Sequence, residues 1–289
     1  MVHVRTAQLT QADGGRWTLS TAPRRGDDSR WFVEDVDGWY GGSGLRGGAT
    51  PSYNHGTFLS RGFREGRTLT LHGWVENVDA DTRDWQERNI SGMLWDGMTG
   101  ELTCDDGNAV MTTRVRLDGP PQVVPLGVRD LQFQVPLVSE SPFLYGDWRE
   151  FSLDPPGVGV GFEFPPLSRD LGKGPVITFG TERVRGEHFV WNDGNADSHP
   201  RFTVHADSPG GFSVGLADRL VTYPWPTYAD VPVTVDMEGA LFVGGRDQTH
   251  LLHERNWSKV PPRAIDTPVF RFLQGGRGFC TVAHRDTYI

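Results

Sequence analysis

Residues Arg67 to Glu76 (RTLTLHGWVE) alternate strictly, with Leu69, Leu71, Gly73 and Val75 on one side and Thr68, Thr70, His72 and Trp74 on the other. Successive side chains of a strand point to opposite faces, so a period of two predicts a strand with two distinct faces. Leu131, Phe133, Val135 and Leu137 repeat the pattern against Gln132, Gln134 and Pro136. The proline lacks a ladder N–H and predicts an edge strand or a strand end. Val110–Leu117, Pro175–Phe179, Arg201–His205, Val231–Asp236 and Phe270–Leu273 read as further strands. Turn sequences separate them, among them Asp105-Asp106-Gly107-Asn108, Ser208-Pro209-Gly210-Gly211 and Met237-Glu238-Gly239.

A chain patterned this way buries sheet against sheet. Its 37 Gly and 20 Pro in 289 residues follow no collagen period, and 10 Trp with 16 Phe are too much aromatic mass for a disordered chain. One segment departs from the strand pattern. Asp79 to Leu94 has no proline, opens on carboxylates that can cap free N–H groups, and spaces Trp85, Ile90, Met93 and Leu94 for a helix. Gly92 weakens its last turn. Ser139-Glu140-Ser141-Pro142 and Asp154-Pro155-Pro156-Gly157 are the linker sequences. They bracket an expected boundary that divides the chain into domains 1–146 and 147–289.

Several function classes lose support here. Twenty-eight basic against 37 acidic residues give a net charge of −9, and a free duplex-DNA binder needs a basic face. No run of ~18 apolar residues predicts a membrane span. The start, Met1-Val2-His3-Val4-Arg5, has no apolar h-region, so synthesis in a cytoplasm without a secretory address is expected. Cys104 and Cys280 match no metal spacing, and a disulfide between them stays open.

The short motifs carry little chemistry. Gly42-Ser43-Gly44-Leu45-Arg46-Gly47 fits G-x-G-x-x-G, but Gly48-Ala49-Thr50-Pro51 follows where a dinucleotide site needs a helix. His250-Leu251-Leu252-His253-Glu254 has its Glu in the wrong place for a zinc helix. Asp79, Asp81, Asp84 and Glu87 read as a solvated helix face rather than as a glycosidase acid pair. No nucleophile motif is present, so no catalytic residue, metal ligand or cofactor is expected. His199-Pro200-Arg201-Phe202 resembles part of the galectin sugar-binding strand, without its Asn and with Trp191 before rather than after it. The plain alternative is an X-Pro lead-in to a strand that buries Phe202 and Val204.

The order of larger features is more telling. A Gly-rich excursion, Gly38-Trp39-Tyr40-Gly41-Gly42-Ser43-Gly44, runs on through His55-Gly56-Thr57-Phe58. It returns by Ser60-Arg61-Gly62-Phe63-Arg64-Glu65-Gly66-Arg67 into the Thr68–Gly73 strand, with the helix directly after. The Leu131–Leu137 strand then runs into Ser141-Pro142-Phe143-Leu144-Tyr145. Later come Asn192-Asp193-Gly194-Asn195, Val233–Asp236 with Ala240–Gly245, Trp257-Ser258-Lys259-Val260-Pro261-Pro262, and a last strand ending in Arg285. In this order the motifs resemble the distal tail protein of siphophages, also known as a minor tail protein or siphovirus-type tail component. That family has aspartate-proline-arginine and an aromatic near residue 142; this chain keeps Pro142 and Tyr145 and lacks the acid and the arginine.

The resemblance implies a mainly β chain of two β-sandwich domains. The first (1–146) is ring-forming, with one helix and a long hairpin, and the second (147–289) is a galectin-like jelly roll. It implies a structural virion protein without enzymatic activity, a homohexameric ring at the distal end of the tail. The implied partners are the major tail tube protein, the tail hub protein and the tape-measure protein, with no membrane partner and DNA only in transit. Within it Trp39, Tyr40, Phe58 and Phe63 are the expected intersubunit anchors, because a Gly-rich arm of about thirty residues far exceeds the usual loop of about four to six. The competing readings are a carbohydrate-binding module of a host-attachment apparatus and a tail-borne hydrolase.

Overall fold

Every second residue of the Arg67–Asn77 strand is buried, as the alternation predicts. It lies between Ser29–Asp37 and Asp130–Ser139, both antiparallel to it. A computed structural model describes residues 4–23, 29–41, 44–46, 62–77, 79–155, 168–169, 175–176 and 188–289. Within these the chain is mainly β and forms two compact units. The first comprises Met1–Asp147 with residues 194–196 and Asp286–Ile289; the second comprises Trp148–Asp193 with Asp197–Arg285. The division is therefore not linear, because Thr287–Tyr288 pairs with Leu144–Tyr145 in the first unit.

The sheet of the first unit runs in the order Arg16–Ser20, Thr6–Thr10, Gly100–Asp105, Val110–Leu117, Asp130–Ser139, Arg67–Asn77, Ser29–Asp37. Its two end strands lie against each other, which makes the sheet nearly a closed barrel. Leu9, Leu19, Leu69, Leu71, Val75, Leu102, Phe133 and Val135 fill the interior. Gly73 keeps the phase of that row but carries no side chain, because a Cβ there would stand 2.7 Å from both Leu19 and Phe133. On the outer face Trp74 stacks on Phe32 at 3.8 Å between ring centroids.

Asp130–Ser139 is an interior strand with Pro136 inside it, rather than the edge strand or strand end that Pro136 predicts. The Pro136 carbonyl accepts from the Asp118 N–H at 3.0 Å, so this side of the residue faces the turn between Val110–Leu117 and Gln122–Leu126. The missing N–H falls in the gap between two partner strands, where the ladder has no bond to lose.

The one α-helix among the described residues spans Ala80–Ser91. Asp79 caps it by accepting from the Thr82 N–H at 2.8 Å, which holds its carboxyl below the usual range. Gly92 ends it, donating to the Arg88 and Asn89 carbonyls. Ile90 is buried, and so are Met93 and Leu94 in the turn that follows, whereas Trp85 points to solvent.

The second unit is a β-sandwich. One sheet orders Arg149–Leu153, Arg277–His284, Arg201–Asp207, Val233–Asp236, Ala240–Val243, Arg246–Asp247; the other orders Glu254–Arg255, Arg219–Tyr223, Phe212–Leu216, Pro268–Phe272. Phe202, Val204, Val235 and Val282 of the first meet Phe212, Val214, Val221 and Phe270 of the second in one core. The His199-Pro200 lead-in thus delivers Phe202 and Val204 to that core. Cys104 and Cys280 are free thiols, one in each core.

Candidate assembly surface

The Gly38–Arg67 excursion is the expected interface arm, and its two roots, at Gly38 and Arg67, lie in the first unit. Leu45–Arg46 pairs antiparallel with Phe63–Arg64, so the excursion has a hairpin stem. Gly38 starts it with φ +78°, and a Cβ there would meet the Thr68 carbonyl at 2.2 Å. Only glycine turns the chain so close to the neighbouring strand.

The other end of the excursion closes on the first through Arg67. Arg67 shares the buried phase of Leu69 and Leu71 and is 1 % exposed. Its guanidinium donates to the Gly38 carbonyl at 2.9 Å, to the Trp39 carbonyl, and to the Pro142 carbonyl at 2.8 and 3.2 Å. Burial, and then Arg64 nearby, lowers its pKa from the usual guanidinium value. The carbonyl dipoles satisfy the buried cation by hydrogen bonding.

The four expected anchors separate. Trp39 is 1 % exposed and belongs to the core of its own unit. Within the single chain the indole turns inward after Gly38, which matches the alternative to an interface role, that these aromatics cover the domain's own core. Tyr40 is 48 % exposed and Phe63, on the stem, 70 % exposed. Phe58 lies outside the described residues. Tyr40 is fixed by its phenol, which donates to the Asp106 carboxylate at 3.0 Å. Burial, then that hydrogen bond and the carboxylate charge, pushes the phenol up to about 12. Burial opposes the Asp106 charge, but the N–H groups of Ala109 and Asn108, each at 2.8 Å, and the Tyr40 hydroxyl outweigh it and lower the carboxyl.

Sequence reasoning missed Arg67, Asp106 and the Pro142 carbonyl. The signal for Arg67 was present: it stands two residues before Leu69, on the core phase of the same strand. Of the other motifs, Asn192 donates through Nδ2 to the Val260 carbonyl at 3.1 Å, joining the Asn192–Asn195 and Trp257–Pro262 stretches. Asp84 pairs with Arg83, as suits a helix face. Among the described residues no three His, Cys, Asp or Glu side chains come together as metal ligands.

No family model and no curated protein matches this chain. Solved structures do: the two-unit, mainly β fold is one already seen in a phage adsorption hub. The crystal structure of phage SPP1 Dit (gp 19.1), presented as a paradigm of the hub adsorption apparatus in phages infecting Gram-positive bacteria, aligns with a TM-score of 0.58. The alignment covers 90 % of this chain and 94 % of that one at 14 % identity. The activated phage p2 baseplate aligns at TM-scores of 0.47 with strontium and 0.43 with calcium, both at 8 % identity. These cover 98 % of each chain in the first case and 97 % in the second. The SPP1 Dit likeness establishes a shared fold.

Proposed function

We propose that this chain is a structural virion protein of the distal tail. In this reading it forms a hexameric ring that joins the tail tube to the tail-tip or baseplate hub and leaves a channel for DNA. The observation that carries the reading is the SPP1 Dit fold extending over 90 % of the chain, both units included. The order of sequence motifs supports the same reading.

The first unit supplies the ring contacts. Head-to-tail closure requires each protomer to present two different patches. The excursion is one of them, with Phe63 and Tyr40 exposed at its stem and root, and Phe58 belongs to the same arm. Aromatic anchors of this kind are enriched at interfaces. Trp39 acts one step back, holding the root of the arm in its own core. Six chains of net charge −9 carry about −54, and an acidic lumen repels passing DNA rather than binding it. The role is mechanical, with no catalytic step, and the protein is made in the host cytoplasm. Its partners are the tube, hub and tape-measure proteins.

Antibody labelling of intact virions, viewed by electron microscopy, tests the location. Label confined to the end of the tail remote from the capsid is expected. Label on the capsid or along the tail shaft would overturn the reading.

A further inference from the structure

We propose that the end of the first unit that carries the Ala80–Ser91 helix receives the excursion of a neighbouring copy of this chain. The inference rests on the ring reading and names the second of the two patches that head-to-tail closure needs.

The two ends of the barrel differ. Both roots of the excursion lie at one end, where Ser29–Asp37 stops before Gly38 and Arg67–Asn77 starts. The helix lies at the other end. It follows Asn77, and Gln86 donates to the Ser29 hydroxyl at 3.0 Å. Arg67 and Asn77 bound an 11-residue strand, so roughly 33 Å separates the ends at about 3.3 Å per residue. In a closed ring, a protomer that reaches forward from one side is met by its other neighbour on a different side.

Large apolar side chains gather at the helix end. Trp85 is 58 % exposed and Trp95 75 %, and Met98, Leu126 and Val128 are exposed with them. Trp95 is aimed by the residue before it. Leu94 is buried, has a left-handed φ of +49°, and donates its N–H to the Gln11 side chain at 3.0 Å. The Gly97 N–H closes the turn on the Leu94 carbonyl at 3.2 Å. A left-handed backbone is unfavourable for leucine, and here it fixes Trp95 outward on a short, pinned turn. Leu126 and Val128 flank a second pinned turn, where the Arg83 guanidinium donates to the Val128 carbonyl at 3.0 Å. Exposed apolar surface gathered in one place marks a contact site, and Trp is enriched among interface anchors.

Charge selects the occupant. Residues 79–98 hold Asp79, Asp81, Asp84, Glu87 and Asp96 against Arg83 and Arg88, five acids to two bases, a net −3. Residues 41–66 of the excursion hold Arg46, Arg61 and Arg64 against Glu65, three bases to one acid, a net +2 with His55 neutral. The excursion is thus basic in a chain of net charge −9, and the helix end is its complement. On the stem Phe63 and Arg64 are both exposed. An arginine over an indole face is a favourable cation–π contact, and a phenyl ring packs on an indole edge or face. A two-fold contact of the helix end with its own copy would instead set −3 against −3, which like-charge repulsion opposes. The complementary contact is therefore head to tail, with the stem of one copy against Trp85 and its neighbours on the next.

The test is made on assembled tails. Phe63→Cys and Trp85→Cys, both at exposed sites, are combined in one full-length chain supplied by complementation, and purified tails are treated with a short bis-maleimide. The double variant should give a ladder of cross-linked copies of this chain up to six. Neither single variant should give one, because a head-to-tail contact never brings like to like. Tails that contain the double variant and show no ladder would overturn the proposal, as would self-linking of the Phe63→Cys variant or linkage of residue 85 to a different tail protein. Six copies around the tail axis without a ladder would remove this contact and leave the ring standing. Any other copy number would remove the ring and this contact with it. A second readout needs no linker. Trp85→Ala should melt where the parent does and enter tails at a tenth of the parental level or less, with Trp85→Phe restoring entry. Parental entry of Trp85→Ala would overturn the proposal.

Discussion

The Arg67 guanidinium holds the Pro142 carbonyl through two donors, Nε at 3.2 Å and Nη2 at 2.8 Å. The same group reaches the Gly38 and Trp39 carbonyls. One side chain therefore ties three points of the first unit: both ends of the excursion and the loop that leads to Leu144–Tyr145. The bond to Trp39 is buried and those to Gly38 and Pro142 are part-buried, so these oxygens lose much of their access to water and need the donor.

Arg67→Met keeps the apolar stem and removes every donor. The carbonyls of Gly38, Trp39 and Pro142 are then left without this partner, and stability should fall by about 3 kcal/mol or more. Urea unfolding followed by tryptophan fluorescence measures it. A loss under about 0.5 kcal/mol would show that water replaces the guanidinium at no cost.

Trp39 and Phe63 should separate folding from assembly. Trp39→Ala opens a cavity in the core of the first unit and should destabilise the protomer by about 3–5 kcal/mol. Phe63→Ala, at an exposed site, should leave protomer stability within about 0.5 kcal/mol and reduce incorporation into tails. Denaturation of the purified chain, paired with tail yield from a complementation assay, distinguishes them. The opposite ranking would return Trp39 to the interface and remove Phe63 from it.

The strands were legible because their periodicity records which side is buried. Leu69, Leu71 and Val75, and likewise Phe133 and Val135, could be placed on the inner face from spacing alone. The helix was legible from the carboxylates at its start, of which Asp79 is the cap, whereas Gly92, read as weakening the last turn, ends the helix and leaves Met93 and Leu94 beyond it. What spacing does not encode is how a turn aims a single large side chain. Trp39 reads as exposed because it sits among glycines, yet the left-handed backbone at Gly38 carries it inward. Trp85 sits at helical spacing with Ile90 but on the opposite side of the cylinder. Pro136 reads as an edge residue because a sequence does not show that its partner strands leave a gap there. The return of Thr287–Tyr288 to the first unit is a pairing across more than 140 residues, invisible to any local pattern. At the candidate surface, the Arg67 staple was not legible, because it depends on long-range contacts to the Gly38, Trp39 and Pro142 carbonyls.

Tyr40 and Asp106 should show linked titration. The Tyr40 phenol should ionise near pH 12 rather than 10, read as the difference in ultraviolet absorbance between the parent and Tyr40→Phe. Its folded-state pKa is raised, so its contribution is complete below pH 10 and lost as pH rises toward 12. The Asp106 carboxyl is lowered, so its contribution is present above the ordinary carboxylate range and lost as pH falls through the lowered value. Asp106→Asn should move the Tyr40 titration downward, though not fully to 10, because burial is the largest cause. An unchanged titration in that variant would break the link.

Cys104 and Cys280 should be inert in the native state. Burial raises both thiols above their ordinary value, and the thiolate is the reactive form. At pH 8 a chromogenic disulfide reagent should label neither cysteine over minutes and both at once in denaturant. Fast labelling of the native chain would show that one of the cores opens readily.

The central claim is the ring, and the most direct measurement is the copy number of this chain around the tail axis in a cryo-electron-microscopy reconstruction of the tail tip. The account predicts six copies in one closed ring, with the Leu45–Arg46 and Phe63–Arg64 stem of each protomer against its neighbour. Three copies, a single copy, or six copies whose stems face solvent would contradict it.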